Sequence, residues 1–328
     1  MKHIEINKDI IKIAKDFRTD LETKKSGYIP PKDKLQVLYR SLKDPVLKKY
    51  VKMIHRKWST LVIVTPDQWE DIIKEFEDVI SETQLATISI NGVKFHEIIE
   101  EAMRYDRVQS HVFPKCMKKL GIRTCVYCNA QYTYYVEGED ENYQNYDIDH
   151  LLPQSKYPYL CTSFFNLQPS CPSCNRKKSD RKQVPGTKLF QLYVPQGSSL
   201  NPALFHLDAL SLAQFLQDGN KDAEILKILF SCPNDRELEN GFNYYFHIST
   251  LYQAHTDIAE ELVWKSRIYN KTYQDFYIKQ FKQLGFKGSD FTRFIIGNYD
   301  TVENIHKRPL SKMTQDIAEQ LGIIKKQK

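Results

Sequence analysis

Apolar residues recur at three- and four-residue spacing through the first hundred positions, the pattern of helices that bury one face. Val46, Leu47, Tyr50, Val51 and Ile54 carry it from Asp44 to Trp58. Trp69, Ile72, Ile73, Phe76 and Ile80 repeat it. The second run has a good start signal, with Thr65 as N-cap, Pro66 in the first turn and Gln68 able to reach back. Between the two, the β-branched stretch Ser59 to Val64 predicts a short strand. Val93 to Tyr105 predicts another helix. From His111 to Val184 the texture changes to cysteines, tyrosines, prolines and short apolar runs. Helical spacing resumes after Asn201 and continues to Leu321, before the basic tail Lys325-Lys326-Gln327-Lys328. The sequence shows no internal repeat and no low-complexity segment. An α+β chain follows, with a small module over 111–190 set between helical regions at 1–110 and 191–328.

Inside the module, the alternation around Ile148 predicts a strand that ends at Asp149-His150 and turns at Pro153. A second strand is expected over Asn166-Leu167-Gln168, after turn residues from Tyr157 to Ser163. A short helix, Pro172 to Asp180, follows, with Arg176, Lys177 and Lys178 on its charged side. The local order is strand, strand, helix.

Two C-x-x-C pairs bracket this unit, Cys125-Val-Tyr-Cys128 and Cys171-Pro-Ser-Cys174. Each can bend round one ion, and the two together supply the four thiolates that suit tetrahedral zinc. Such a zinc is structural, because sulfur fills every coordination position. The plainer alternative is two chance pairs of buried thiols. Cys116, Cys161 and Cys232 lack a partner at ligand spacing and read as core residues, with Cys116 a substitute ligand at best. The total of seven cysteines is odd, and four of them sit in close pairs. That favours metal binding in a reducing compartment over a disulfide framework. No apolar run is long enough to span a bilayer, and charges interrupt the N-terminal segment, so a cytoplasmic protein without a membrane partner is expected. The formal net charge of +6 tilts the choice of partner towards polyanions but does not fix it.

The segments D-I-D-H-L-L-P-Q-S, F-N-L-Q-P and C-P-S-C-N-R-K-K-S-D resemble, in that order, the ββα-metal motif of the HNH nucleases. They are also similar to the HNH domain of RNA-guided nucleases, which lacks the cysteine frame. The resemblance covers about a quarter of the chain; the third motif position is Asn175 where other members have His. It implies a metal-dependent endonuclease in which His150 is the general base, Asp149 and Asn175 hold a magnesium ion, and Asn166 fixes the His150 loop through its side-chain amide. Hydrolysis of a phosphodiester needs these types: an imidazole that titrates near neutrality, and a hard divalent cation with open positions for substrate. Taken singly, His150 could be a polar turn neighbour, Asn166 a turn cap and Asn175 a helix cap. Their order inside the cysteine frame favours the nuclease. Arg176, Lys177 and Lys178, with Arg181 and Lys182 beyond, are expected at phosphates, against the alternative of a solvated helix face.

Other chemistries fall away. His96-Glu97-Ile98-Ile99-Glu100 ends in Glu where a zinc protease needs His, and reads as a helix surface. No H-x-E precedes Cys171 as a zinc deaminase requires. No phosphate-binding glycine loop is present, so any ATP dependence belongs to a partner. HNH proteins with helical flanks resemble the nuclease partners of ATPases in anti-phage systems, which implies a defence effector acting on DNA, with RNA also open, an ATPase partner and self-association. The competing functions are a zinc-stapled nucleic-acid-binding or scaffold protein without catalysis and, less favoured for want of a translocation segment, a secreted toxin.

Overall fold

The computed structural model describes residues 1–139, 142–179, 184–217, 222–269 and 271–325. Its architecture is α+β: helices flank a small mixed region that contains the two cysteine pairs. The N-terminal helices form where sequence spacing and caps agree. Asn7 accepts the Ile10 amide at 3.0 Å and opens Lys8–Glu22, whose Ile10, Ala14, Phe17 and Leu21 are buried. Asp44 accepts the amides of Val46 and Leu47 at 2.8 and 2.9 Å, and Pro45 fits the first turn of Pro45–Leu61. That helix runs through Ser59, so the strand expected over Ser59 to Val64 does not form. The caps and the apolar stripe of Tyr50, Val51, Ile54, Trp58 and Leu61 carry it past the local β-preference. Val62 then ends the helix, and its carbonyl accepts the Phe164 amide at 2.8 Å. The expected helix from Val93 to Tyr105 is shorter, Phe95–Ala102. Asn91 and Gly92 instead turn Ser89–Ile90 against Val93–Lys94 in a small hairpin.

These helices hold the loop between the two strands of the central module. Tyr159 stacks on Phe76 with centroids 3.9 Å apart, and Phe164 meets Phe17 edge-on at 5.5 Å. The C-terminal region is less uniformly helical than its apolar spacing predicts. Leu204–Leu207 and Ile228–Ser231 pair antiparallel within it. Their outer edge is closed by side chains rather than by a third strand. Asp316 accepts the Phe205 amide at 2.8 Å, and Gln320 both accepts from and donates to Leu207. A further contact, at Gly241 of the helix Arg236–Phe246, requires glycine. A Cβ there would lie 1.9 Å from the Lys188 carbonyl oxygen.

The same region clasps the first cysteine pair. Tyr252 donates to the Cys128 carbonyl at 2.6 Å, and Tyr127 stacks on Phe246 at 4.4 Å. Asn129 follows the pair with φ of 51°, fully buried. Its side chain bonds Thr124 and the Ile305 carbonyl and accepts the Lys312 amide. Asn tolerates this left-handed conformation better than most residues. One contiguous apolar cluster runs through all three regions of the chain.

Candidate active site and metal centres

The four cysteines of the two pairs are buried, and their sulfurs all lie within 4.8 Å of one another. A zinc tetrahedron with bonds of about 2.3 Å has sulfur–sulfur edges of roughly 3.8 Å, so the cluster fits that ion. Burial pushes the Cys125 thiol well above its ordinary value, and the sulfurs of Cys128 and Cys171 add to the effect. A dication at the centre reverses this, because thiolates that repel one another are attracted to it. The first pair is shaped by an Asn129 amide to Cys125 carbonyl bond of 2.9 Å. The second opens the helix Pro172–Lys178, with Cys171 at the N-cap.

Between the pairs, Asp147–His150 and Leu167–Ser170 form an antiparallel ribbon in the register Asp147 to Ser170 and His150 to Leu167. Asn166, expected in the second strand, lies instead in a short 3-10 turn before it, Phe164–Asn166. With the helix Pro172–Lys178 the order is strand, strand, helix. Asp180, placed in that helix by the sequence, and Arg181 and Lys182 lie outside the described residues, as do the last three residues of the basic tail. A cavity of about 470 Å³ opens at this ribbon, lined by Asp147, Asp149, His150, Asn175, Arg176 and Lys178 among others.

His150 is buried and its ring is held on two sides. Its Nε2 lies 2.8 Å from the Cys161 carbonyl, and the Tyr105 ring packs beside it at 4.9 Å. A carbonyl can only accept, so the proton sits on Nε2 and proton acceptance falls to Nδ1. Asn166 is fully buried and staples the intervening loop. It accepts the Leu152 amide at 2.7 Å and donates to the carbonyls of Leu152 and Leu160, each at 3.1 Å. Its side chain therefore reaches the His150 ring only through the loop that carries the Cys161 carbonyl.

Asp149 is deeply placed. Its Oδ1 accepts from the Lys178 ammonium at 2.9 Å, and its Oδ2 accepts from the Tyr127 hydroxyl. Burial pushes its carboxyl above the usual carboxylate range, against the pull of Lys178 and Tyr127. Lys178 also donates to the His150 carbonyl at 2.6 Å and is only 3% exposed. The sequence expectation groups Lys178 with Arg176 and Lys177 at phosphates; here its ammonium is buried against Asp149 and the His150 carbonyl. Three residues beyond Asn175, its side chain turns under the strand, while Arg176 and Lys177 remain exposed. Asn175 donates to Asp147 Oδ2 at 3.0 Å, which leaves its Oδ1 as the acceptor available to a cation.

The cavity therefore offers hard oxygen donors from Asp147, Asp149 and Asn175, the set that magnesium favours. Asp147 was missed by sequence reasoning, although its position two residues before Asp149 places both on one face of the strand. Tyr127 was missed as well. No periodicity marks it, yet it joins the cysteine frame to Asp149 and in turn accepts from Gln168 Nε2 at 2.7 Å. Elsewhere, His96 and Glu100 of the rejected protease-like motif pair with each other at 2.9 Å along their helix. Among the described residues no helix is long and apolar enough to cross a membrane.

Residues 125–181 match the HNH endonuclease family. A stretch of 63 residues is 38% identical to the Septu protein PtuB of Bacillus thuringiensis. It covers 19% of this chain and 22% of that protein, so the similarity spans about a fifth of the relative. No solved structure matches the chain.

Proposed function

We propose that the chain is a metal-dependent endonuclease that hydrolyses phosphodiester bonds in DNA. The observation that carries this reading is the convergence of Asp149, His150, Asn175 and Arg176 on one cavity at a strand–strand–helix unit, with the His150 ring held by the Cys161 carbonyl. In this mechanism His150 Nδ1 takes the proton of the attacking water while Nε2–H stays anchored on that carbonyl, so the ring needs no rotation to act. Tyr105 and the Asn166-stapled loop keep it in place. Asp149 and Asn175 would hold a magnesium ion, which when bound supplies positive charge to the phosphate and the departing oxygen. Arg176 and Lys177 approach the neighbouring phosphates from the exposed side of the helix. Lys178, turned inward, sets the charge of Asp149 instead of contacting DNA. The four cysteines would bind zinc and clasp the module without taking part in the reaction.

The similarity to a Septu protein supports a role in prokaryotic antiviral defence, in the cytoplasm and beside an ATPase partner that would supply the nucleotide hydrolysis for which this sequence has no glycine loop. The catalytic set occurs once, so one chain cuts one strand at a time, and a double-strand break requires two chains or a larger assembly. Supercoiled plasmid with magnesium tests the proposal. Nicked circles should appear first, and linear product should rise more steeply with enzyme concentration. Absence of any cleavage with metal and partner supplied would leave the zinc-stapled binding or scaffold protein as the function. Direct linearisation by a monomer would rule out the one-strand scheme.

A further inference from the structure

A second concave surface lies on the same module, away from the residues assigned to hydrolysis. The cavity measures about 520 Å³ and lies between the helix Phe113–Leu120, the hairpin that pairs Tyr135–Val136 with Tyr143–Gln144, and Tyr299 with Lys307. Four exposed cations line it: Lys115, Lys118, Arg123 and Lys307. Among the described residues none of the four is in an ion pair, and Glu137 is the cavity's one carboxylate. Tyr132 and Tyr134, 47% and 39% exposed, stand on its wall. Tyr143, 56% exposed, extends the row, with successive ring centroids 6.2 and 6.0 Å apart. Exposed tyrosines beside cations that make no ion pair among the described residues match one chemistry well: phosphates paired to the cations and unstacked bases laid on the rings. A duplex keeps its bases stacked inside and cannot use the rings this way.

We propose that this groove binds single-stranded DNA next to the catalytic cavity. The placement suits a continuous strand. Tyr135 on the groove's wall pairs with Gln144, and Gln144 precedes Asp147 by three residues, at most about 10 Å of chain, which brings this wall of the groove close to the strand that carries Asp147. Exposed Glu137 at the hairpin end of the groove, with Glu139 beyond it, disfavours phosphate there and leaves the cations of the helix Phe113–Leu120 and Arg123 to bind it. The inference rests on the nuclease reading and narrows its substrate to DNA with an unpaired segment.

The test uses the full chain carrying His150→Ala, so that binding is measured without cleavage, and a fluorescein-labelled 20-nucleotide oligo(dT). Tyr132→Ala with Tyr134→Ala should weaken binding about tenfold or more, with zinc content unchanged, while Tyr134→Phe keeps most of the affinity. Lys118→Gln with Arg123→Gln should lower the slope of log affinity on log salt by roughly 1.4, about 0.7 for each phosphate that the variant leaves unneutralised. Unchanged affinity and slope in these variants would overturn the proposal. So would equal binding of a 20-base-pair duplex, or displacement of the oligonucleotide by an equal concentration of thymidine monophosphate, which would mark a duplex site or a free-nucleotide pocket. Plasmid cleavage by wild-type chain is scored separately. If oligo(dT) binding follows the tyrosines but no cleavage occurs, the nuclease reading fails and the groove stands.

Discussion

The cysteine frame and the cavity proposed as catalytic lie side by side in one module and satisfy their polar groups in opposite ways. In the frame, four identical donors converge within 4.8 Å of one another, with the Ala130 amide donating to Cys128 Sγ at 3.4 Å. In the cavity, each donor already has a protein partner: Asp149 with Lys178 and Tyr127, Asn175 with Asp147, His150 with Cys161. The first arrangement is closed, and a metal ion held there would offset its buried sulfurs. The second has its groups already satisfied by protein partners, which under the proposed function would be exchanged when a cation or substrate binds. The two are joined at Tyr127, which sits between Cys125 and Cys128 and bonds Asp149. A site that must only hold can be saturated by one ion. A site that must react has to keep its groups oriented without exhausting their capacity to bond.

Substitutions on either side separate these two modes. The largest effect is expected at the frame. Cys171→Ser should remove zinc and most soluble folded protein, since structural zinc contributes roughly 10–16 kcal/mol, comparable with the stability of a whole domain. Elemental analysis finding no zinc in wild-type protein prepared without chelators would break the comparison at its first term. Next, His150→Ala should cut plasmid cleavage by about 10²–10⁴-fold with zinc content and melting temperature nearly unchanged. Retention of more than a few per cent of activity would remove His150 from its assigned role. Lys178→Met leaves the Asp149 carboxylate buried without its cation. It should lower stability by about 3 kcal/mol in zinc-loaded, magnesium-free protein, with part regained on adding magnesium. A loss of equal size with and without magnesium would show that Asp149 is not open to exchange. The smallest effect is expected at the joint. Tyr127→Phe removes one hydrogen bond to a charged group, worth about 2 kcal/mol, and should raise the magnesium concentration for half-maximal binding by calorimetry several-fold while zinc stays bound. Loss of zinc from this variant would show that the ring's packing on Phe246, rather than the hydroxyl, carries the connection.

Both sites were largely legible as residue types in order. The two C-x-x-C pairs are short-range features, and the spacing that brings two sulfurs to one ion is set by the local chain. The alternation around Ile148 and the proline-led helix after Cys171 likewise announced the strands and the helix, and Asp44-Pro45 announced the helix it caps. Where the structure departs from these expectations, a distant partner outweighs local preference. Ser59 to Leu61 stay helical because the stripe below them is already buried. Leu204–Leu207 becomes a strand because Asp316 and Gln320, more than a hundred residues away in sequence, satisfy its edge. The same holds for function. Sequence alone named four thiols, Asp149, His150, Asn166 and Asn175, but not Asp147. Only the tertiary structure decided that the Cys161 carbonyl orients His150, that Tyr127 ties Asp149 to the cysteine frame, and that Lys178 turns inward. Orientation and burial depend on contacts between segments far apart in the chain, and no local pattern encodes them.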